Sequence, residues 1–336
     1  MDPLSLALLG AAFALVGSVI YLANIAALNP ARLPLLRGVL GLITLLLVSV
    51  GALSMFSLAA DTPELAASAG VGAVAAVAAA AFSVGALNST GFRADLSRPF
   101  GPRYDAESPV HLAALVLTAS LFSYTVINLV AGGGVEGLAE SIEQGGIAAG
   151  ETLFQSVLWI LSALLGVGLF LRRSPADSLS RLGLRLPRLM DVAVGLGSGL
   201  LLYGVVLAMT AVWSMLVSPD WMTEGSSVAA ALAASVTSLP EALLLSLPVA
   251  IGEEIFFRGA LQPVFGLIPT ALYFAALHAQ YGLTPALLSI FIAGLGFGLL
   301  AKRRGTLTAI LAHFVFNFVQ LALVLLASSL LPAGGM

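Results

Sequence analysis

The chain has no cysteine and very little charge. Without cysteine it cannot form disulfides, thiolate metal sites, catalytic thiols or S-acyl anchors. Only 9% of its 336 residues are charged, whereas soluble globular domains carry about 25%. This composition excludes an ordinary soluble domain. The sequence also lacks a basic tail or patch, so no nucleic acid partner is expected.

Long apolar runs make up most of the chain, and its mean hydropathy is +1.05. Many runs have the ~20 residues that a helix needs to cross a hydrocarbon core of ~30 Å. The sequence therefore predicts an all-α, polytopic helical bundle of about ten transmembrane helices in a lipid bilayer. Because no basic region precedes the first run, we expect a transmembrane helix there and not a cleaved signal peptide. The expected spans are 4–28, 38–60, 65–87, 110–131, 152–171, 192–217, 238–264, 266–281, 284–301 and 306–331.

Positive charge is confined to alternate loops between these spans. Thirteen of the fourteen Lys and Arg residues follow spans one, three, five and nine, while the opposite loops carry acids and no base. The positive-inside rule then predicts that the basic loops are cytoplasmic and that both termini are on the non-cytoplasmic side. A cysteine-free chain rich in Ala, Leu and Gly is typical of a bacterium. We therefore expect a multi-pass integral protein of a bacterial cytoplasmic (inner) membrane.

A polar stretch at 172–191 divides the chain. It reads as a linker with a short amphipathic piece at the cytoplasmic surface. The predicted units are an N-terminal transmembrane module of about five spans, 1–175, and a second module, 180–331. All the unusual polar residues fall in the second module.

Ionisable residues inside a bilayer are rare and by default mark a functional site. Glu254 and Arg258 are spaced i,i+4 with the acid first, which favours a neutralising pair. Glu253 points about 100° away from that pair and has no partner on its own helix. A lone carboxylate in this environment is a candidate base. The remaining polar residues of this cluster are His278 on the eighth span and His313 and Asn317 on the tenth.

The residues of this cluster are also expected to lie at similar depths in the membrane. Counted from the cytoplasmic ends of their helices, Glu253, His278 and His313 lie roughly 10–18 Å into the membrane. One carboxylate, two imidazoles and a carboxamide can bind a metal or polarise a water, and either allows attack on a peptide carbonyl. Asn317 or one histidine can stabilise the oxyanion. The substrate is then expected to arrive laterally or from the cytoplasmic face.

Three short motifs occur in order on the late helices. They are "EEIFFR", "FAALH" and "HFVFN", which follow the patterns EExxxR, FxxxH and HxxxN. Together they resemble the CPBP family of intramembrane proteases, which includes the CaaX prenyl endopeptidase and bacterial Abi-type proteins. The resemblance covers roughly residues 180–331 and leaves the first five spans unexplained.

This resemblance implies an all-helical membrane fold and endopeptidase activity. It assigns water activation to Glu253 and His278, oxyanion stabilisation to His313 and Asn317, and a supporting role to Glu254 and Arg258. A divalent metal such as Zn²⁺ is an open alternative, with Glu253, His278 and His313 as its ligands. No other cofactor is expected.

Motifs of other intramembrane proteases are missing. The sequence has neither HExxH, the zinc site-2 motif, nor GxGD, the aspartyl motif. The stretch "GLGSG" at 195–199 approaches the GxSG of rhomboids, but Leu196 occupies the first glycine position. A serine protease is therefore not expected.

The expected function is hydrolysis of a peptide bond in a membrane-anchored protein or peptide. Prenylated tails, peptide or bacteriocin leaders and C-terminal membrane anchors are open as substrates. A proton-coupled transporter is one alternative, although it predicts polar residues in both halves of the chain. A non-catalytic scaffold or immunity protein is another, and it predicts that Glu253→Gln retains function.

Overall fold

A computed structural model describes residues 3–62, 65–146 and 149–330. The predicted all-helical class is confirmed, because 86% of the structure is helical and the described residues form no strands. Asp2, Glu64 and Leu331, on which some of the expected features fall, lie outside the described residues. The α-helices are α1 (Pro3–Leu28), α2 (Leu33–Asp61), α3 (Ala66–Asn88), α4 (Thr90–Asp95), α5 (Pro109–Ala131), α6 (Gly134–Gly145), α7 (Ala149–Val167), α8 (Pro175–Arg181), α9 (Leu189–Leu216), α10 (Pro219–Ser235), α11 (Leu239–Glu254), α12 (Gln262–Phe265), α13 (Leu267–Ala276), α14 (Pro285–Arg304) and α15 (Thr306–Leu330).

Eight helices among the described residues are long and apolar enough to cross a membrane, namely α1, α2, α3, α5, α7, α9, α14 and α15. The other two expected spans differ from prediction. The seventh changes from α11 into a π-helix, Ile255–Leu261, before α12. The eighth is only α13, whose ten residues extend ~15 Å, half of a ~30 Å core. Gly266, the residue immediately before α13, has φ +84°, a backbone conformation that residues other than glycine rarely adopt.

Besides the short α4, two longer helices lie in segments that the sequence predicted to be loops. α6 and α10 pack against each other through an apolar cluster. Val135, Ala139 and Ile142 line the α6 side of this contact at helical spacing, which is the signal that could have revealed an amphipathic helix. Both helices lie in loops that the charge pattern assigns to the non-cytoplasmic side.

The basic loops meet at the opposite end of the bundle. The Gly101 N–H, in the loop after α4, donates to the Val264 carbonyl at 3.0 Å. The Thr306 N–H, at the start of α15, donates to the Gly183 carbonyl at 3.2 Å. This shared end agrees with the prediction that these loops lie on one side of the membrane. The linker before Gly183 contains the short helix α8, as expected.

The two predicted modules share a buried core. The largest cluster of buried side chains includes Val19 and Leu40 from the first module and Phe257 and Phe274 from the second. α7 packs extensively along α11, which carries the two glutamates. The boundary between 175 and 180 stays a prediction, but the first five spans directly support the helix that bears the polar cluster.

Glycine brings α11 close to α7. A Cβ at Gly252 would lie 2.9 Å from both the Cα and the carbonyl oxygen of Ser156, so the helices would have to separate. A Cβ at Gly294 on α14 would similarly lie 3.1 Å from a ring carbon of Phe274. These glycines therefore allow the helices to pack closely, as small residues do between membrane helices.

Replacing Gly252 with alanine should force α11 away from α7. We expect a loss of about 1–3 kcal/mol in stability, as for other overpacked positions, together with reduced turnover because Glu253 is the next residue. Gly197→Ala is the matched control, since a Cβ at Gly197 meets nothing within 4 Å. Thermal unfolding in detergent measures both variants, and equal melting temperatures would contradict the prediction.

Candidate active site

The predicted pair of Glu254 and Arg258 is confirmed. The Arg258 Nη1 lies 3.0 Å from Glu254 Oε1, and both side chains are almost fully buried. The Arg258 Nη2 also donates to the Gly294 carbonyl at 3.1 Å, and its guanidinium lies 4.3 Å from the centre of the Phe274 ring. The arginine thus gains an ion pair, a hydrogen bond and a cation–π contact in one place, which together offset the cost of burying its charge.

The same glutamate oxygen also binds a histidine on another helix. His313 Nδ1 lies 2.8 Å from Glu254 Oε1, and its ring stacks on Phe297 with centroids 4.6 Å apart. Because a carboxylate can only accept, Nδ1 carries the hydrogen in this contact. Nε2 is then the atom that His313 presents to the cavity. The sequence analysis missed this bond, because no local spacing shows that α15 packs against α11.

Glu253 faces that second nitrogen. Its Oε2 lies 4.0 Å from His313 Nε2, which is too long for a direct hydrogen bond but can be bridged by one water. Among the described residues, Glu253 Oε2 has no hydrogen-bond partner, although the atom is buried. The expected division is therefore present. One glutamate is paired, and the Oε2 atom of the other has no hydrogen-bond partner among the described residues.

His278 lies just past the end of α13, in the loop that leads to α14. The sequence placed it on a transmembrane helix, and the early end of α13 corrects that position. Its Nδ1 lies 2.7 Å from the Phe274 carbonyl, which accepts a hydrogen bond from it. Nε2 of the neutral ring then has a free lone pair, as a proton acceptor requires.

A cavity of about 470 Å³ joins the four predicted catalytic residues. Glu253, His278, His313 and Asn317 all line it. Tyr281 lines it too, with its ring parallel to that of His278 at a centroid distance of 6.4 Å. The sequence analysis did not single out this tyrosine, and no motif spacing would have identified it. The structure thus brings the four predicted residues to one space, while their chemical roles stay predictions.

The donor atoms do not form a ready metal site. Within the part of the chain that the structure describes, no three His, Asp or Glu side chains are grouped so that they could hold an ion together. The divalent metal that the resemblance left open on Glu253, His278 and His313 therefore stays an untested alternative. No step proposed below depends on it.

Comparisons with known proteins place this site in a recognised segment. Residues 235–319 match the family model described as type II CAAX prenyl endopeptidase Rce1-like. This segment contains every motif residue named above, and the resemblance drawn from the motifs is confirmed over it. A relative in Bacillus subtilis (strain 168), the uncharacterized protein YpbD, is 40% identical over 88 residues. That match covers 25% of this chain and 46% of YpbD. No solved structure matches the chain.

These findings support a coarse assignment. The family is one of proteases, so its match supports hydrolase activity at the level of the family. Eight long apolar helices together with a match to a membrane protease family indicate a multi-pass integral membrane protein. The chain spans just under half of the curated relative that it matches, so its own activity and substrate are proposals.

Proposed function

We propose that this chain is an intramembrane endopeptidase that hydrolyses a peptide bond of a membrane-anchored protein or peptide. The observation that carries the proposal is the carboxylate of Glu253. Its Oε2 atom is buried and has no hydrogen-bond partner among the described residues, and the side chain lines the same cavity as two imidazoles and a carboxamide. The family match over residues 235–319 supports the same reaction class.

The proposed first step is attack by water on the scissile carbonyl. Either Glu253 or His278 accepts the one proton that the water loses, since each offers an unshared pair toward the cavity. The C–O bond forms as the carbonyl π electrons move to oxygen, which gives a tetrahedral intermediate. Collapse of this intermediate breaks the C–N bond. The proton held by Glu253 or His278 then passes to the leaving nitrogen.

His313 and Asn317 are the proposed stabilisers of the oxyanion. The carboxamide of Asn317 can donate directly. His313 already uses its Nδ1 hydrogen on Glu254, so it donates from Nε2 only as an imidazolium. The Glu254 carboxylate stabilises that cation, in the way that a triad aspartate stabilises its histidine. Glu254 is thus a positioning residue as well as the partner of Arg258.

Mapping of protein termini tests the proposal. Membrane proteomes of cells that carry wild type, Glu253→Gln or His278→Ala are compared at matched expression. We expect one processed terminus to disappear in both variants, and that terminus names the substrate. If both variants accumulate to wild-type levels and no terminus changes, the protease proposal is wrong. Substrate-dependent proton flux in liposomes would then favour the transporter, and its absence the scaffold.

Chelation tests the metal separately. Because the proposed steps use only protein side chains, we expect activity of the purified protein to stay within about twofold of its starting value after dialysis against EDTA and 1,10-phenanthroline. Dialysis without chelator is the control. A loss of activity that Zn²⁺ restores would instead show that the reaction needs a metal, for which Glu253, His278 and His313 are the candidate ligands.

A further inference from the structure

The cavity is closed toward the basic loops. Arg258 bonds to the Gly294 carbonyl, and one turn further on the Gln262 side chain donates to the Gly298 carbonyl at 2.8 Å. These contacts join the π-helical segment and the first residue of α12 to α14. Arg258 and Gln262 are 3% and 9% exposed, and neither lines the cavity. The lining of the cavity therefore does not extend past these two contacts toward the basic loops.

The residues that line the cavity extend away from the basic loops. On α9 the lining residues reach Trp213, which is ~36 Å from the start of that helix at the basic end. On α15 the lining continues from His313 to Gln320, which is ~21 Å from Thr306. Trp221, at the beginning of α10, also lines the cavity and is 44% exposed. The cavity therefore runs from Glu253 toward the non-cytoplasmic side.

α10 covers this end of the cavity. Ala233, near its C-terminal end, belongs to a buried cluster with Ala242 of α11 and Leu321 of α15. The flank of α10 contacts α6, which lies outside the cavity. Along the length of α10, Met222, Ala229 and other residues line the cavity. A substrate that enters from this side must therefore pass between α10 and the outer ends of α9 and α14.

The lining favours an uncharged peptide. Apart from Glu253, the two histidines and Tyr281, the lining residues do not ionise, and they include four amide side chains: Gln155, Gln280, Asn317 and Gln320. A charged substrate side chain would be left without a partner here, which is costly away from water. A peptide bond that is to be cleaved must leave its helix, so its N–H and C=O groups lose their partners in the membrane. Amide side chains can both donate to and accept from those groups.

We infer that the substrate segment enters from the non-cytoplasmic side beneath α10, and that the segment bound is an uncharged, unwound stretch of a membrane peptide. This inference rests on the proposed protease function for what is cleaved, but not for where the cavity opens. It differs from the expectation that the substrate arrives laterally or from the cytoplasmic face. The depth of the catalytic residues is unchanged, but the lining of the cavity continues from them toward α10 and not toward the basic loops.

The absence of native cysteine makes the entry side directly measurable. Gln320→Cys and Asn317→Cys are exposed to a membrane-impermeant, negatively charged thiosulfonate in spheroplasts and in inside-out vesicles. Ser141→Cys on α6 and Ser180→Cys on α8 are the side markers, because both serines are exposed at opposite ends of the bundle. We expect both cavity probes to react from the side on which Ser141→Cys reacts.

If the cavity probes reacted from the side on which Ser180→Cys reacts, the inference would be overturned. It would also be overturned if they reacted only with a membrane-permeable maleimide, because that result indicates entry from lipid alone. Size-exclusion profiles show which variants are folded. If Asn317→Cys is misfolded, the labelling of Gln320→Cys, which lies nearer the outer end of α15, decides the question. Labelling does not need catalysis and is repeated in a Glu253→Gln background. Correct sidedness without any proteolysis contradicts the proposed function alone, whereas proteolysis with the opposite sidedness contradicts the entry route alone.

A second experiment places a bulky side chain in the proposed passage beneath α10. Ala229 lines the cavity from α10, and its neighbour Ala230 is exposed and does not line it. Ala229→Trp should lower kcat/KM for a membrane substrate by about tenfold or more, while Ala230→Trp should leave it within about twofold. Equal effects of the two substitutions would contradict passage beneath α10. A charged residue placed in the cleaved segment of the substrate should reduce turnover in the same assay.

Discussion

Glu253→Gln should reduce turnover by about 10²–10⁴-fold while leaving the protein folded. The substitution retains the size of the side chain but removes the carboxylate that accepts the water proton. Glu253 forms no ion pair within hydrogen-bonding distance, and its Oε2 lacks a partner among the described residues. Little folding energy is therefore lost with the charge. Turnover of a purified substrate and thermal unfolding in detergent measure the two quantities independently.

Glu241→Gln is the matched control for this substitution. Glu241 is on the same helix, near its outer end, where its carboxylate accepts hydrogen bonds from the Thr237 N–H and hydroxyl. It does not line the cavity. We expect this variant to retain turnover within about twofold and to lose only a little stability through the weakened cap. If Glu253→Gln turned over substrate as fast as Glu241→Gln, Glu253 could not be the base.

The second large effect concerns the buried pair of Glu254 and Arg258. Glu254→Leu or Arg258→Met alone should cost about 3–5 kcal/mol, because each leaves an uncompensated buried charge. The combined variant should recover much of that loss, since two apolar side chains remain where an ion pair stood. It should not recover activity. His313 loses the carboxylate that holds its Nδ1 hydrogen, and we expect turnover about 10²–10³-fold below wild type.

An exposed ion pair provides the comparison. Arg304 and Asp191 form a contact of 3.0 Å, but the arginine side chain is 42% exposed. Arg304→Met should cost no more than about 1 kcal/mol and leave turnover unchanged. A double-mutant cycle on Glu254 and Arg258, with unfolding and turnover as readouts, separates the two roles of the glutamate. Full activity in the combined variant would limit Glu254 to a structural role.

The class of fold and the identity of the polar cluster could be predicted from the sequence. Lipid solvation makes each span a run of about 20 apolar residues, so eight long helices were recognised from composition. The i,i+4 spacing of Glu254 and Arg258 gave their ion pair, since that contact is within one helix. The four candidate catalytic residues were found because polar groups are rare in such a chain, and all four line one cavity.

The features that the sequence did not predict are those that depend on packing between helices. Hydropathy does not distinguish an apolar helix that crosses the membrane from α13, which ends after ten residues. The π-helix after Glu254 has no local sequence signature either, and α10 lies in a loop whose charge suggested only an outer connection.

The sequence by itself determined that this protein is a membrane helical bundle with one concentrated polar site, because the cost of polar groups in lipid leaves a clear trace along the chain. Only the tertiary structure decided that Glu254 binds His313 across helices and that the cavity extends away from the basic loops. Those features depend on which helices lie side by side, as in the hydrogen bonds that Arg258 and Gln262 donate to α14. Contacts between residues 36 or 59 positions apart have no periodicity from which a sequence could reveal them.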